Sequence, residues 1–289
     1  MLGTKEYSLD QLRDYATLFT RSCFFEWMNG DFSSINYKVK RYDSEWLITN
    51  NVSYLDYLKY AYNAISIYYQ NEYVLKNSFL DKWLIKEVGE DGSKLFNEFR
   101  IGDSVADLVM FNGSSKVFEI KTEYDSDKRL QTQIASYRKV FNYVFLIVPK
   151  TKVHLYDKYG DDIGIITFHG ARKQKFSLYR DAMIQERIDV SALIHLLHTK
   201  EYKSIVRKHF GQLPKMTSFN QFDICHELMN KIPQKNLNHY FIDQMKMRGL
   251  ENALSKRYFK EFNQLSLALK LSKQKRKKMF EMLKRPIEV

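Results

Sequence analysis

Hydrophobic positions in the first part of the chain repeat at helical spacing. Apolar residues recur every three or four positions over 9–27, and Ser8 with Gln11 three residues later is typical of a helix N-terminus. Polar and turn-forming residues interrupt this pattern over 29–51. A second helical pattern, broken or kinked, runs over 53–88. The first part of the chain is therefore predicted to be helical.

The pattern changes to a strand period near residue 95. Three short runs rich in β-branched and aromatic residues, 96–101, 105–111 and 116–122, predict three strands. Asn112-Gly113 lies between the second and third runs, and this dipeptide is a strong signal for a hairpin turn. The sequence therefore predicts a β-hairpin at this point.

Helix and strand patterns alternate after the hairpin. Residues 127–141 place apolar side chains on one helical face, and the apolar run 142–149 is typical of a strand buried on both faces. Residues 152–156 and 163–168 predict two more strands, and the strand signal stops after Gly170. This order predicts an α/β domain with a mixed sheet flanked by helices.

Charge divides the chain into three regions. The whole chain has a net charge of +12, and residues 1–95, 96–170 and 171–289 carry balances of −2, 0 and +14. We expect a helical N-terminal region, an α/β core joined by the helix at 72–88, and a basic helical C-terminal region. A basic region beside a neutral domain indicates a polyanionic partner, most commonly nucleic acid. The alternative is a solvated helical surface rich in lysine.

Composition excludes several classes of protein. Hydrophobic residues make up 44% of the chain and aromatic residues 15%, so a folded core is expected and a disordered chain is not. Cys23 and Cys225 are far apart and provide neither a disulfide framework nor a zinc ligand set. No secretory signal pattern or membrane-length apolar run is present. These features predict a soluble, cytoplasmic protein.

Two carboxylates and a lysine lie on the predicted hairpin. Glu119 and Lys121 are two residues apart on one strand, so their side chains share a face. Asp107 lies on the preceding strand, about 5 Å away across the hairpin. Two carboxylates suit a magnesium ion, which uses one or two of them and keeps positions for water and phosphate oxygens. A lysine beside them can orient the attacking water and offset charge on a phosphate, which favours phosphodiester hydrolysis.

The spacing alone is not specific, because it occurs twice. Asp189, Glu201 and Lys203 repeat it further along the chain. We call these three residues the second copy. It lies in a helical pattern without a hairpin turn, so we interpret it as a solvated helix face. The alternative for the first copy is an ordinary surface hairpin in which Asp107 pairs with Lys121.

The hairpin and the following helix resemble a known nuclease superfamily. Ala106-Asp107, Glu119-Ile120-Lys121 and Gln133 to Tyr137 are similar to the motifs of the PD-(D/E)XK nucleases, and closest to RecB-like members with a QxxxY motif. The strongest resemblance covers about a quarter of the chain. It implies a restriction-endonuclease-like core, a magnesium or manganese cofactor and DNA as the substrate. The proline of the motif name is Ala106 here, at a position that varies within the superfamily.

The resemblance also implies roles for individual residues. Asp107 and Glu119 would be metal ligands together with the Ile120 carbonyl, and Lys121 would be the catalytic lysine. Gln133 and Tyr137 would position the substrate; the alternative is that Tyr137 packs in the core and Gln133 is exposed.

The identity of a further acidic metal ligand stays open. Many members of the superfamily place this ligand on the helix before the sheet. Glu72 fits best, and Glu98 on the first strand is its competitor.

Three functions remain open at this point. The first is a metal-dependent nuclease, a phosphodiesterase acting in anti-phage defence, phage biology or DNA repair. The second is a non-catalytic nucleic-acid-binding protein on a nuclease-like scaffold, and the third is a partner-binding subunit of a defence or repair complex. In the first two cases the basic C-terminal segment is expected to contact phosphates through Lys270, Lys273, Lys275, Arg276, Lys277 and Lys278. In the third case the basic segment is expected to contact a partner or its RNA.

Overall fold

A computed structural model describes the chain in two compact units. It covers residues 6–48, 52–69, 71–87, 92–123, 125–169, 175–249, 252, 254–255 and 257–288. The described residues of Met1–Lys86, His169–Phe176 and Leu250–Val289 form one unit, which we call the helical unit. Those of Glu87–Phe168 and Ser177–Gly249 form the other, which we call the sheet unit. Each unit has its own hydrophobic core.

Helices account for most of the regular structure. The described residues contain fourteen α-helices: α1 (Leu9–Thr17), α2 (Arg21–Met28), α3 (Ser33–Tyr42), α4 (Ser44–Ile48), α5 (Tyr54–Tyr68), α6 (Glu72–Phe79), α7 (Ile85–Glu87), α8 (Leu130–Arg138), α9 (Val190–Leu196), α10 (Thr199–Phe210), α11 (Gln221–Asn230), α12 (Gln234–Met247), α13 (Asn263–Ala268) and α14 (Lys273–Leu283). A π-helical turn, Leu80–Leu84, joins α6 to α7. The helical unit contains α1 to α6, α13 and α14, and the sheet unit contains α8 to α12.

The N-terminal region is helical, but its helices divide differently from the prediction. The predicted helix over 9–27 is broken into α1 and α2, because the Thr20 side chain caps the start of α2. The Ser8 side chain accepts a hydrogen bond from the Gln11 amide, as the sequence predicted for the first helix. The predicted interruption over 29–51 was wrong, because α3 and α4 occupy much of it.

A polar network around Asp43 lies inside the helical unit. Asp43 is 2% exposed, and its carboxylate accepts hydrogen bonds from the hydroxyls of Tyr15 at 2.6 Å, Tyr57 at 2.8 Å and Tyr60 at 3.1 Å. The Tyr15 hydroxyl in turn accepts a bond from Gln11. Because a buried carboxylate is costly without hydrogen-bond donors, these tyrosines hold α1, α5 and the end of α3 in one arrangement.

The stability of the helical unit should fall above pH 10. Burial, followed by neighbouring tyrosine and Asp43 groups, raises the pKa of Tyr15 and Tyr57 well above the ordinary value. In the unfolded chain these hydroxyls ionise near pH 10, whereas in the folded chain they stay protonated, so the stability present below pH 10 is lost as the pH rises. We expect a loss of about 2 kcal/mol between pH 10 and pH 11 from the two groups. Denaturant unfolding followed by circular dichroism at these pH values measures it, and an unchanged midpoint would contradict the prediction.

The sheet unit is built on a mixed sheet, as the sequence predicted. The described residues form six strands in the spatial order of the chain: β1 (Lys94–Ile101), β2 (Ser104–Phe111), β3 (Ser115–Ile120), β4 (Tyr143–Pro149), β5 (Gly164–His169) and β6 (Lys175–Arg180). The β1–β2 and β2–β3 pairs are antiparallel, and the β3–β4 and β4–β5 pairs are parallel. The predicted hairpin is confirmed, and Gly113 in its turn has a φ of 97° that favours glycine. Helices flank this sheet.

Two strand predictions were wrong. Residues 152–156 do not form a strand, because the chain turns after Pro149 and enters a 3-10 helix, Lys150–Leu155. The prediction that no strand follows Gly170 was also wrong, because β6 begins at Lys175. Leu178 and Tyr179 of β6 are exposed, so this end strand lacks the apolar pattern of a buried one.

The basic C-terminal region is divided between the two units. Residues 177–249 pack with the sheet, where Ile205, Leu237 and Phe241 of α10 and α12 join its core. Residues 250–289 instead contribute to the core of the helical unit, through Phe262 and Leu283 among others. Residues 72–86, which we expected to join the α/β core, also belong to the helical unit.

Neither cysteine forms a disulfide, and both are buried. Cys23 lies in α2 and Cys225 in α11. In the part of the chain that the structure describes, no helix has both the length and the apolar character needed to cross a membrane.

Candidate active site

Asp107 lies where β2 and β3 stop pairing. Their register ends at the pair Leu108 and Phe118, so Asp107 and Glu119 would be the next opposed residues. There the Asp107 carboxylate accepts a hydrogen bond from the Ile120 amide at 2.8 Å, in place of a backbone carbonyl of β2. This bond brings the carboxylate of one strand directly against the chain of the next, as the hairpin predicted.

Glu119 is a buried carboxylate at the centre of a hydrogen-bond network. Its side chain is 4% exposed. Oε1 accepts from Lys121 Nζ at 3.0 Å and from Gln133 Nε2 at 2.8 Å, and Oε2 accepts from the Tyr137 hydroxyl at 2.8 Å. Burial, and then the Asp107 carboxylate, raise the pKa of Glu119, while Lys121 and Tyr137 oppose that rise. The site therefore holds negative charge that its neighbours only partly offset.

Lys121 lies on the same face of the chain as Glu119, as strand alternation predicted. Its side chain is 11% exposed, and Nζ also donates to Gln133 Oε1 at 3.3 Å. The Lys121 amide donates to the Ile147 carbonyl on β4 at 2.9 Å, which fixes the backbone at the end of β3. Lys121 thus pairs with Glu119 and is largely buried, so it does not lie on an ordinary hairpin surface.

Helix α8 carries Gln133 and Tyr137 over the end of the hairpin. Leu130 and Ile134 are buried on the same helix, and they anchor it against the sheet. The Tyr137 hydroxyl lies 2.8 Å from Glu119 Oε2 and 3.1 Å from the Val105 carbonyl oxygen, and it shares its one proton between these acceptors. Tyr137 is fully buried, so it both packs in the core and contacts Glu119. Desolvation and the charge of Glu119 raise its pKa, so it stays a donor at neutral pH.

The residues at this site fit a magnesium ion. Asp107 and Glu119 supply two carboxylates from adjacent strands. In a strand the amide and carbonyl of one residue point the same way, and the Ile120 amide points to Asp107. The Ile120 carbonyl is therefore turned to the same side. Two carboxylates with one carbonyl match the small protein ligand set that magnesium uses beside phosphate oxygens. Among the described residues, no group of three or more His, Cys, Asp or Glu forms a metal cluster.

The two candidates for a further acidic ligand differ in position. Glu72 begins α6 in the helical unit, with a side chain that is 68% exposed and paired with Lys76 at 2.5 Å. It is therefore outside the sheet unit that carries the other site residues. Glu98 lies in β1 between Asn97 and Phe99, which pair with Leu108 and Ala106 on either side of Asp107. It has a φ of 52° and an exposed side chain. Glu72 as a further metal ligand stays a prediction.

The second copy of the spacing lies on helices, as predicted, but it is not a solvated face. Asp189 caps α9 by accepting from the Ala192 amide. Glu201 forms an ion pair with Arg248 and is 12% exposed at its side chain. Asp189 and Glu201 therefore have structural partners, Lys203 is half-buried, and the three residues form no pair of strands.

The basic C-terminal segment is only partly available for contact with phosphates. Lys270, Lys273, Lys275, Lys277 and Lys278 are exposed. Arg276 is 7% exposed and donates to Ser266 and to the Phe259 carbonyl, so it does not lie on the exposed basic side with them.

One contributor to the site could not be found from the sequence. The Val105 carbonyl positions the Tyr137 hydroxyl, and every residue has a carbonyl, so no side-chain pattern marks it.

Comparison with known proteins identifies relatives from bacteriophage P4. The family model described as Bacteriophage P4 protein cII matches residues 66–271. Protein cII of Enterobacteria phage P4 is 26% identical over 175 residues, which are 58% of this chain and 64% of that protein. The match thus spans less than two thirds of the relative. A solved protein of unknown function from Silicibacter pomeroyi covers 49% of this chain and 93% of its own at 14% identity, with a TM-score of 0.31, which is too low to support a conclusion.

Proposed function

The chain belongs to the Bacteriophage P4 protein cII family, and we propose that it is a divalent-metal-dependent nuclease that hydrolyses phosphodiester bonds of DNA. The observation that carries the proposal is the hydrogen-bond network of Glu119, Lys121, Gln133 and Tyr137, beside which the Asp107 carboxylate accepts from the Ile120 amide. Glu119 on β3 meets Gln133 and Tyr137 on α8 although 14 and 18 residues separate them in the chain.

Each residue has a distinct part in the proposed reaction. A divalent ion, when bound, supplies Lewis-acid activation of the phosphate. Asp107 and Glu119, on adjacent strands, would hold that ion through their carboxylate oxygens. Lys121, whose Nζ lies beside Glu119, would orient the attacking water and offset the charge that develops on the phosphate. Gln133 and Tyr137 hold the Glu119 carboxylate in one rotamer.

The burial of the site supports this assignment. The side chains of Glu119 and Lys121 are 4% and 11% exposed, so they act in a medium of lower dielectric than water. Electrostatic stabilisation of a transition state is stronger in such a medium. The proposal includes a biological setting in anti-phage defence, phage biology or DNA repair. It also includes a protein partner in such a complex.

Cleavage assays with and without a divalent metal test the function. We expect the purified full chain to cut supercoiled plasmid, linear duplex or single-stranded circular DNA in magnesium or manganese, and to cut none of them in EDTA. The loss in EDTA follows because two carboxylates without a cation repel the phosphate. DNA binding without cleavage in either metal would contradict the nuclease and favour the non-catalytic binding protein.

A further inference from the structure

A cavity of about 470 Å³ lies beside α14 in the helical unit. This volume is within the range of about 300–1,000 Å³ that is usual for small-ligand sites. It belongs to neither the hairpin nor α8, so the proposed nuclease site does not account for it. Its walls combine apolar Leu254, Phe259 and Phe280 with basic Lys273, Arg276, Lys277 and Lys284, and with one acid, Glu281.

The apolar wall of the cavity is held in place by its own packing. The rings of Phe259 and Phe280 stack with centroids 4.1 Å apart and planes at 26°. Phe280 belongs to the core of the helical unit, and Phe259 packs against that core. Phe259 has a φ of 55°, a left-handed conformation that is strained for a residue with a side chain. The surrounding structure therefore fixes this wall.

Arg276 places a fixed positive charge in the wall. Its Nη1 donates to Ser266 Oγ at 2.7 Å and its Nη2 to the Phe259 carbonyl at 2.9 Å. Burial lowers the pKa of Arg276 to about 10, so the guanidinium stays protonated at neutral pH. Its two hydrogen bonds tie the basic helix to the residue that forms the aromatic wall.

Three lysines, two in α14 and one at its C-terminal cap, add charge at the cavity. Lys273, Lys277 and Lys284 are four and seven residues apart, which places them along one side of the helix. Lys277 also lies 3.8 Å from Glu281, but both side chains are well exposed, so this pair is weak. The segment 250–289 carries 11 Lys+Arg against 4 Asp+Glu, a balance of +7. The cavity therefore suits an anion with an apolar, flat part.

We propose that this cavity binds one nucleotide unit, with its base against Phe259 and Phe280 and its phosphate on Lys277 and Lys284. The ligand is either a free mononucleotide or an unstacked nucleotide of a single strand. The single-strand source rests on the proposed nuclease function. Bases that stay stacked and paired in a duplex cannot enter such a cavity, whereas aromatic side chains commonly receive unstacked bases.

Binding of dTMP and of a labelled twelve-residue oligo(dT) to the full chain in EDTA tests the proposal. Calorimetry measures the first probe and fluorescence anisotropy the second. We expect the Lys277→Ala/Lys284→Ala double variant to weaken binding about tenfold, because it removes two charged contacts to phosphate. The matched control, Lys231→Ala/Lys235→Ala, removes the same charge from exposed positions of the sheet unit and should change affinity less than about twofold.

A third variant separates the cavity from surface charge. Leu254→Trp fills the cavity without changing the charge, and Leu254 is half-buried, so a larger side chain can be accommodated there. We expect it to abolish binding of both probes. If circular dichroism shows that the Leu254→Trp protein is not folded, the comparison of the two lysine double variants tests the proposal.

The outcomes distinguish the sources and can overturn the proposal. Binding of dTMP supports a free nucleotide, and binding of oligo(dT) alone supports a strand. Absence of binding of both probes overturns the proposal, as does equal weakening by the two double variants. A Leu254→Trp protein that folds and binds like the wild type also overturns it. Displacement of oligo(dT) by decanoate as effectively as by dTMP overturns it in favour of an apolar acid. Because no divalent metal is present, failure here is separate from failure of the nuclease assay.

Discussion

Replacing Glu119 by glutamine, or Lys121 by alanine, should lower the rate of magnesium-dependent DNA cleavage by about 100-fold to 1,000-fold or more. This is the range that is typical when one preorganised group that stabilises transition-state charge is removed. Glutamine keeps an acceptor for the Tyr137 hydroxyl while it removes the charge that would hold a cation. Lys121→Ala removes the nearby cation that offsets phosphate charge. Initial rates on plasmid DNA measure both effects, and circular dichroism checks that both proteins fold.

The second copy provides the control for this prediction. Lys203→Ala should leave the rate within about threefold of the wild type, because Lys203 lies on α10 and is not among the residues of the candidate site. Glu201 is less suitable, since its pair with Arg248 stabilises the sheet unit. Full cleavage by Glu119→Gln and Lys121→Ala proteins, prepared free of contaminating nuclease, would end the assignment of the active site.

Replacing Asp43 by alanine should lower the free energy of unfolding by about 3–5 kcal/mol, since it leaves several buried donors without their acceptor. The hydroxyls of Tyr15, Tyr57 and Tyr60 all donate to this carboxylate. Denaturant unfolding at neutral pH measures the change. A loss comparable to that of an exposed residue would show that the tyrosines find other acceptors.

Asp14→Ala is the matched control for Asp43. Asp14 also accepts a hydrogen bond from a tyrosine, Tyr42, at 2.7 Å, and it pairs with Arg41 at 3.7 Å. Its side chain is 34% exposed, so water can replace it. We expect a loss of less than about 1 kcal/mol from this variant.

The candidate site could be predicted because its information is local. Alternation along β3 places Glu119 and Lys121 on one face, and the Asn112-Gly113 turn brings Asp107 beside them. A separation of four residues likewise places Gln133 and Tyr137 on one face of α8. Each of these relations depends on residues within about one element of each other, where backbone period determines side-chain direction.

The division of the chain into units could not be predicted, because it depends on distant partners. Asp43 lies in a polar stretch that resembles a loop, and only its contacts with Tyr15 and Tyr57 reveal a buried role. The basic pattern of 171–289 is continuous in sequence, yet its two parts enter different cores. Local periodicity gives the apolar face of a helix but not the surface against which that face packs.

The connectivity of the helical unit sets an order for its synthesis and folding. The ring of Phe19 lies 6.1 Å from that of Phe262, and the Tyr54 amide donates to the Arg285 carbonyl. These contacts join residues that the ribosome adds more than two hundred positions apart. The residues of the sheet unit end at Gly249 and are therefore complete before α13 and α14 emerge. The sheet unit can then fold on the ribosome while α1 to α6 still lack part of their core, a delay that exposes apolar helix faces to chaperones during translation.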